Sequence, residues 1–140
     1  MKTIPEIMMK DHSKIHNLIS EIEQNIIKNN NEDSNHLFIR LKWTLEKHFF
    51  IEEKVVFSIY SNMLPEEFEE LNKLLQEHKD FLHLLNRIDS DFKNLKLFQK
   101  LKKELSAHAK FEDEIFYPRL EEQLSKEQKQ LIYDRCKKWV

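Results

Sequence analysis

The chain contains seven histidines, and four of them stand in two matched settings. Asp11-His12-Ser13-Lys14-Ile15 and Glu77-His78-Lys79-Asp80-Phe81 both run acid, His, two variable positions, apolar. His48-Phe49-Phe50-Ile51-Glu52-Glu53-Lys54-Val55-Val56-Phe57 and His108-Ala109-Lys110-Phe111-Glu112-Asp113-Glu114-Ile115-Phe116-Tyr117 also agree: His, two variable positions, apolar, two acids, one variable position, two apolar residues, an aromatic. The chain is therefore a degenerate internal repeat, a His helix followed by a His-x-x-x-Glu helix, twice over. Residues four apart lie one above the other on a helix face. His48 with Glu52, and His108 with Glu112, can thus address one interior point.

The neighbours of these pairs are apolar: Leu45, Ile51 and Val55 around the first, Leu105, Phe111 and Ile115 around the second. Such pairs belong on a buried face, where an uncompensated carboxylate costs several kcal/mol. Two buried carboxylates side by side repel and take up a proton unless a cation lies between them. Two metal ions bridged by Glu52 and Glu112, with imidazoles on the outer sides, remove that cost. Carboxylates and histidines so spaced in a helix bundle form a di-iron or di-manganese type of site. A His/carboxylate set without thiolate suits iron better than structural zinc.

The elements that must position these residues follow from apolar periodicity, which is helical throughout. One stripe runs Ile7, Met8, Ile15, Leu18, Ile19, Ile22 and Ile26, and Asn29, Asn30 and Asn31 end it. A second runs Leu37, Leu41, Leu45, Val55, Val56 and Ile59, ending near Ser61, Asn62 and Pro65. Pro65 with Glu66 and Glu67 predicts a helix start, since proline suits the first turn and acids favour that end of the dipole. The third helix carries Phe68, Leu71, Leu74, Leu75, Phe81, Leu85 and Ile88, with Asp89, Ser90 and Asp91 offering capping oxygens. The fourth carries Leu101, Leu105, Phe111, Ile115 and Phe116, with Pro118 near its end, and Ser125 introduces a short fifth helix. The expected fold class is all-α, an up-and-down four-helix bundle with a short C-terminal fifth helix, forming a single domain over residues 1–140.

Composition agrees. There is no glycine, only three prolines, and 34% of residues are charged, which favours long helices over turns. A net charge of −2 offers no basic surface for nucleic acid. With no secretory segment near Met1, no membrane-length apolar run and one cysteine, Cys136, the expectation is a soluble, cytoplasmic protein with no membrane partner. Cys136 itself reads as a small apolar residue of the terminal helix.

His12, His48-x-x-x-Glu52, His78 and His108-x-x-x-Glu112 resemble the hemerythrin-like, HHE cation-binding family, over nearly the whole chain. The resemblance implies a four-helix bundle enclosing an oxo- or hydroxo-bridged pair of irons. His12 and His48 would hold one iron, His78 and His108 the other, and Glu52 and Glu112 would bridge them. Blood-pigment members carry a second His one turn after the first on the third helix, where this chain has Leu82. His16 occupies the place that the repeat aligns with Leu82, so either His16 is the fifth imidazole or one iron keeps an additional open position. The fourth-helix acid follows its His by four residues, as in HHE-type members, rather than five.

Beside the metal reading stand plainer ones. Each histidine alone could be a partly buried structural residue, and each His-x-x-x-Glu pair a surface contact worth tenths of a kcal/mol. His36 and His83 read as surface residues. Glu53, Asp113 and Glu114 read as solvent-facing, or as acids that orient an imidazole. The first functional reading is a binding protein for O2, NO or peroxide, in sensing, storage or delivery. The alternatives are a di-iron oxidoreductase turning over peroxide or NO, an iron donor for repair of iron centres, and a metal-free interaction bundle. No catalytic base or substrate cleft is legible, and relatives read as iron donors carry an extra cysteine-bearing segment for which this chain is too short. Trp43, Trp139 and the last helix are candidates for an oligomer contact or a lid over the bundle end. Oligomeric state is not legible.

Overall fold

In a computed structural model describing residues 3–58, 65–90 and 94–139, the chain is all-α. Helix α1 spans Ile4–Ile27; α2 spans Asn31–Ile51 and runs on into a π-helical turn, Glu52–Phe57. Helix α3 spans Pro65–Ser90. Helix α4 spans Leu95–Phe111, followed by a second π-helical turn, Glu112–Phe116, then α5, Tyr117–Gln123, and α6, Lys126–Trp139.

Local chemistry sets the ends. The Thr3 hydroxyl accepts from the Glu6 amide at 3.3 Å, starting α1. Asn29 adopts φ 57°, the left-handed conformation that asparagine tolerates and that ends α1. The carboxamide of Asn94 accepts from the Lys96 amide at 3.2 Å and starts α4. Of the oxygens expected to serve the connection before it, the Ser90 hydroxyl turns back to the carbonyls of Asn86 and Arg87, and Asp91 lies outside the described residues. Ser125 and Gln128 cap α6 reciprocally, Gln128 N to Ser125 Oγ at 3.1 Å and Ser125 N to Gln128 Oε1 at 2.9 Å. Helix α6 begins directly after Ser125, where a helix start was expected.

Pro118, expected near the end of the fourth helix, sits in the first turn of α5, which ends at Gln123. The preceding π-helical turn already interrupts the α-helical ladder, so the missing proline N–H costs little there. Ile115 does not flank the His108/Glu112 pair; it is 49% exposed. The α spacing that predicted its burial fails inside a π-helical turn, where the wider turn rotates it outward. Phe68 is also exposed, because the first turn of α3 projects it outside the stripe formed by Leu71 and Leu74. Ile59, Ser61 and Asn62 lie outside the described residues.

Helix α1 packs on α2 and α4, and α3 packs on α4 and α2; α6 lies against α1 and the turn Glu52–Phe57. Two apolar clusters result. One gathers Ile15, Leu18, Ile19, Ile22, Phe38, Leu41, Leu45, Leu85, Ile88, Phe98 and Leu101. The other gathers Ile4, Met8, Val56, Leu74, Phe116, Leu120, Ile132 and Cys136. Between them, on all four long helices, fall the histidines and glutamates of the repeat. Among the described residues no helix is long and apolar enough to cross a membrane.

Candidate metal centre

Each glutamate of the repeat opens a π-helical turn: Glu52 the one after α2, Glu112 the one after α4. Such insertions widen the helix by one residue and re-aim side chains, frequently at functional sites. Here they turn both carboxylates fully inward, at 0% exposure. His48, His78 and His108 are buried, and His12 is nearly so.

The donor atoms converge as two groups that share both carboxylates. His12, His48, Glu52 and Glu112 form one; Glu52, His78, His108 and Glu112 form the other; within each, one ligand atom per residue lies within 4.8 Å of the rest. Every imidazole turns Nε2 inward. His48 Nε2 stands 2.8 Å from Glu52 Oε1 and His78 Nε2 3.4 Å from the same oxygen. His12 Nε2 stands 3.2 Å, and His108 Nε2 3.3 Å, from Glu112 Oε1.

On the outer side a matched set of acids fixes the rings. Asp11, just before His12, accepts from His48 Nδ1 at 2.5 Å; Glu77, just before His78, accepts from His108 Nδ1 at 2.6 Å. Asp113, just after Glu112, accepts from His12 Nδ1 at 2.8 Å. Glu53, just after Glu52, stands 3.5 Å from His78 Nδ1, beyond a good hydrogen bond. In His12, His48 and His108, with Nδ1–H donated to a carboxylate, Nε2 is left with its lone pair toward the interior, the tautomer a cation requires; His78 Nδ1 is buried without a partner.

The inner atoms are orphans. His12, His48, His78 and His108 Nε2, with Glu52 and Glu112 Oε1, are buried without a hydrogen-bond partner. Buried polar atoms are normally satisfied, and six unsatisfied ones facing one another constitute a donor set. Nitrogen and carboxylate oxygen without sulfur match a borderline-to-hard transition metal, so these residues fit a pair of cations that share the two glutamates.

Without a cation, protons do the compensating. Burial opposes the charged form of His12, but contacts with Asp113 and Glu112 outweigh it and lift the imidazole to about 9. His108 reaches about 9 in the same way, burial being overcome mainly by Glu112. His48 is pushed well above its ordinary value because Glu52 and Asp11 overcome its burial. Glu52 in turn is held well below the usual carboxylate range, against burial, chiefly by His48.

Tyr117, the aromatic that closes the second half of the repeat, lies against both glutamates. Its hydroxyl donates to Glu52 Oε2 and reaches Glu112 Oε2 at 3.4 Å. Burial, with the charges of Glu112 and Glu52, pushes this phenol well above its ordinary value, so it stays a donor. Phe57 holds the equivalent place in the first half. Phe49 stacks on His78 with ring centroids 4.1 Å apart, and Phe81 meets His108 edge-on at 5.2 Å.

Not every expected ligand arrives. His16 is exposed and belongs to neither group. It lines, with Asn17, the outer part of a cavity of about 470 Å³ whose inner part touches His12, His48 and His108. His36 and His83 are exposed.

Residues 3–120 match the hemerythrin family, described as the hemerythrin HHE cation binding domain. No curated protein and no solved structure matches the chain.

Proposed function

The chain belongs to the hemerythrin HHE cation-binding family, and from that premise we propose that it holds two iron ions and binds O2, or a related small ligand such as NO or peroxide, for sensing, storage or delivery. The observation that carries this reading is the pair of ligand groups sharing Glu52 and Glu112, with their inward-facing atoms unsatisfied. His12 and His48 would hold one ion, His78 and His108 the other. Two irons so held supply reversible one- and two-electron exchange with the small ligand.

The protein's own part is positional. The four helices read as an up-and-down bundle, since one apolar cluster takes the early residues of α1 and α3 but the late ones of α2 and α4. Asp11, Glu77 and Asp113 hold the imidazole tautomers. Phe49, Phe57 and Phe81 wall the His78 side against water, while the cavity beside His12 and His48 offers a route of entry. Tyr117 holds the carboxylates from beneath and α6 covers that end.

The second reading at the same donor set is an oxidoreductase that turns over peroxide or NO. Anaerobic reconstitution with ferrous iron, followed by exposure to air, tests the metal reading. Close to two irons per chain and a near-ultraviolet oxo-bridge band are expected; zinc alone, or no metal, overturns it. Stoichiometric ligand uptake without turnover favours binding, and sustained peroxide consumption favours the enzyme.

A further inference from the structure

The acids on the outer side of the imidazoles are unequal in the two halves. The repeat aligns Asp11 with Glu77 and Asp113 with Glu53. The group of His12 and His48 thus faces two aspartates, and the group of His78 and His108 two glutamates. Asp113 and Asp11, 19% and 12% exposed, meet their imidazoles at 2.8 and 2.5 Å. Glu77 and Glu53 are 29% and 33% exposed; Glu77 meets His108 at 2.6 Å, but Glu53 stops 3.5 Å from His78. Phe49 and Phe57 lie nearly parallel to the His78 ring, with centroids 4.1 and 6.1 Å away. They fix its plane but give Nδ1 no acceptor, and that nitrogen is buried without a partner. An aspartate also has one rotatable bond fewer than a glutamate, so it gives up less freedom in holding an imidazole.

We infer that the two ligand groups load in order: the ion at His12 and His48 binds first and more tightly, the ion at His78 and His108 second. The inference rests on the two-ion reading above and deepens it. A carboxylate on Nδ1 fixes the tautomer and raises the basicity of Nε2, and losing such a partner typically costs 10- to 100-fold in metal affinity. One group has both partners; the other has one, beside an imidazole that no acid anchors. The bridging residues cancel from the comparison, because Glu52 and Glu112 belong to both groups. The second ion also enters against the charge of the first, which widens the gap. Access points the same way. The cavity beside α1 is lined by His12, His48 and His108 but not by His78, so an arriving ion meets both imidazoles of the first group and only one of the second.

Anaerobic calorimetric titration of the metal-free full chain with ferrous ion tests the order. Two steps of one ion each, about tenfold or more apart in affinity, are expected. Asp113→Asn weakens the first step by about 10- to 100-fold, leaves the second in place and closes the gap; a change that only loosened the fold would weaken both. Asp11→Asn, acting through His48 instead of His12, repeats this result. Glu53→Gln, at the position matched to Asp113, leaves both steps as they are. Two ions taken up in one unresolved step, a Glu53→Gln loss equal to that of Asp113→Asn, or an Asp113→Asn loss confined to the second step overturns the order while the two-ion reading stands. Uptake of fewer than two ions overturns that reading and the order with it.

Discussion

The hydroxyl of Tyr117 donates to Oε2 of Glu52, a carboxylate contributed by the other half of the chain. The same hydroxyl lies 3.4 Å from Oε2 of Glu112. One phenol thus steadies both shared carboxylates on the side away from the imidazoles, leaving each Oε1 turned toward them. Tyr117→Phe copies what the first half already has in Phe57 and keeps the packing. The metal-free variant should lose about 2 kcal/mol, because a buried charged acceptor loses its donor. Urea unfolding of the metal-free protein measures this, and an unchanged midpoint would remove Tyr117 from the centre.

Asp11→Asn removes the carboxylate that fixes His48 Nδ1–H at 2.5 Å. Loss of such an outer partner typically costs 10- to 100-fold in metal affinity. Competition against a chelator should show a loss of about that size, with Glu122→Gln, on the exposed surface, unchanged.

His16→Ala should leave the number of bound metal ions as it is, because His16 is exposed and lies outside both ligand groups. Its place beside the cavity predicts an effect on the rate of ligand entry instead. Metal analysis with stopped-flow ligand binding separates the two; a halved metal content would make His16 a ligand after all.

The pH dependence of the metal-free protein follows from the two raised imidazoles. His12 and His108 rise from 6.5 to about 9 on folding, so their stabilising contribution is fully present below about 6.5 and is lost as pH climbs through about 9. Asp11 and Glu52 move the other way, being lowered; their contribution is present above the ordinary carboxylate range and fades in more acidic solution. Melting temperature should therefore peak at mildly acidic pH and fall toward pH 9. Metal affinity should rise over that same alkaline interval, with protons released on binding. Calorimetry in buffers of different ionisation enthalpy counts those protons; none released at pH 7 would contradict the raised imidazoles.

What could be read from the chain alone was whatever a single helix turn encodes. His48 with Glu52, and His108 with Glu112, are neighbours by α-helical geometry, and the repeat lent His12 and His78 the same standing. The acid partners were harder, because Asp11 reaches His48 across 37 positions and Asp113 reaches His12 across 101. Both acids were visible in the matched motifs, but not which imidazole each would serve. The role of the Tyr117 hydroxyl was hidden by the repeat itself, whose first half places Phe57, with no polar tip, in the same position. Ile115 was misplaced for a different reason: its predicted burial assumed α spacing where the backbone makes a π-helical turn. His16 was one turn from His12 and on a compatible face, yet only packing decides that it stays at the rim.

Both ligand groups need Glu112, and His12, near the start of the chain, depends on Asp113 for its orientation. A chain emerging from the ribosome therefore has no assembled trap for a cation until nearly all of its bundle has been made. His12, His48 and Glu52 appear early but lack the partners that would close a cage around an ion. By this arrangement neither ligand group is complete until Glu112 has been made.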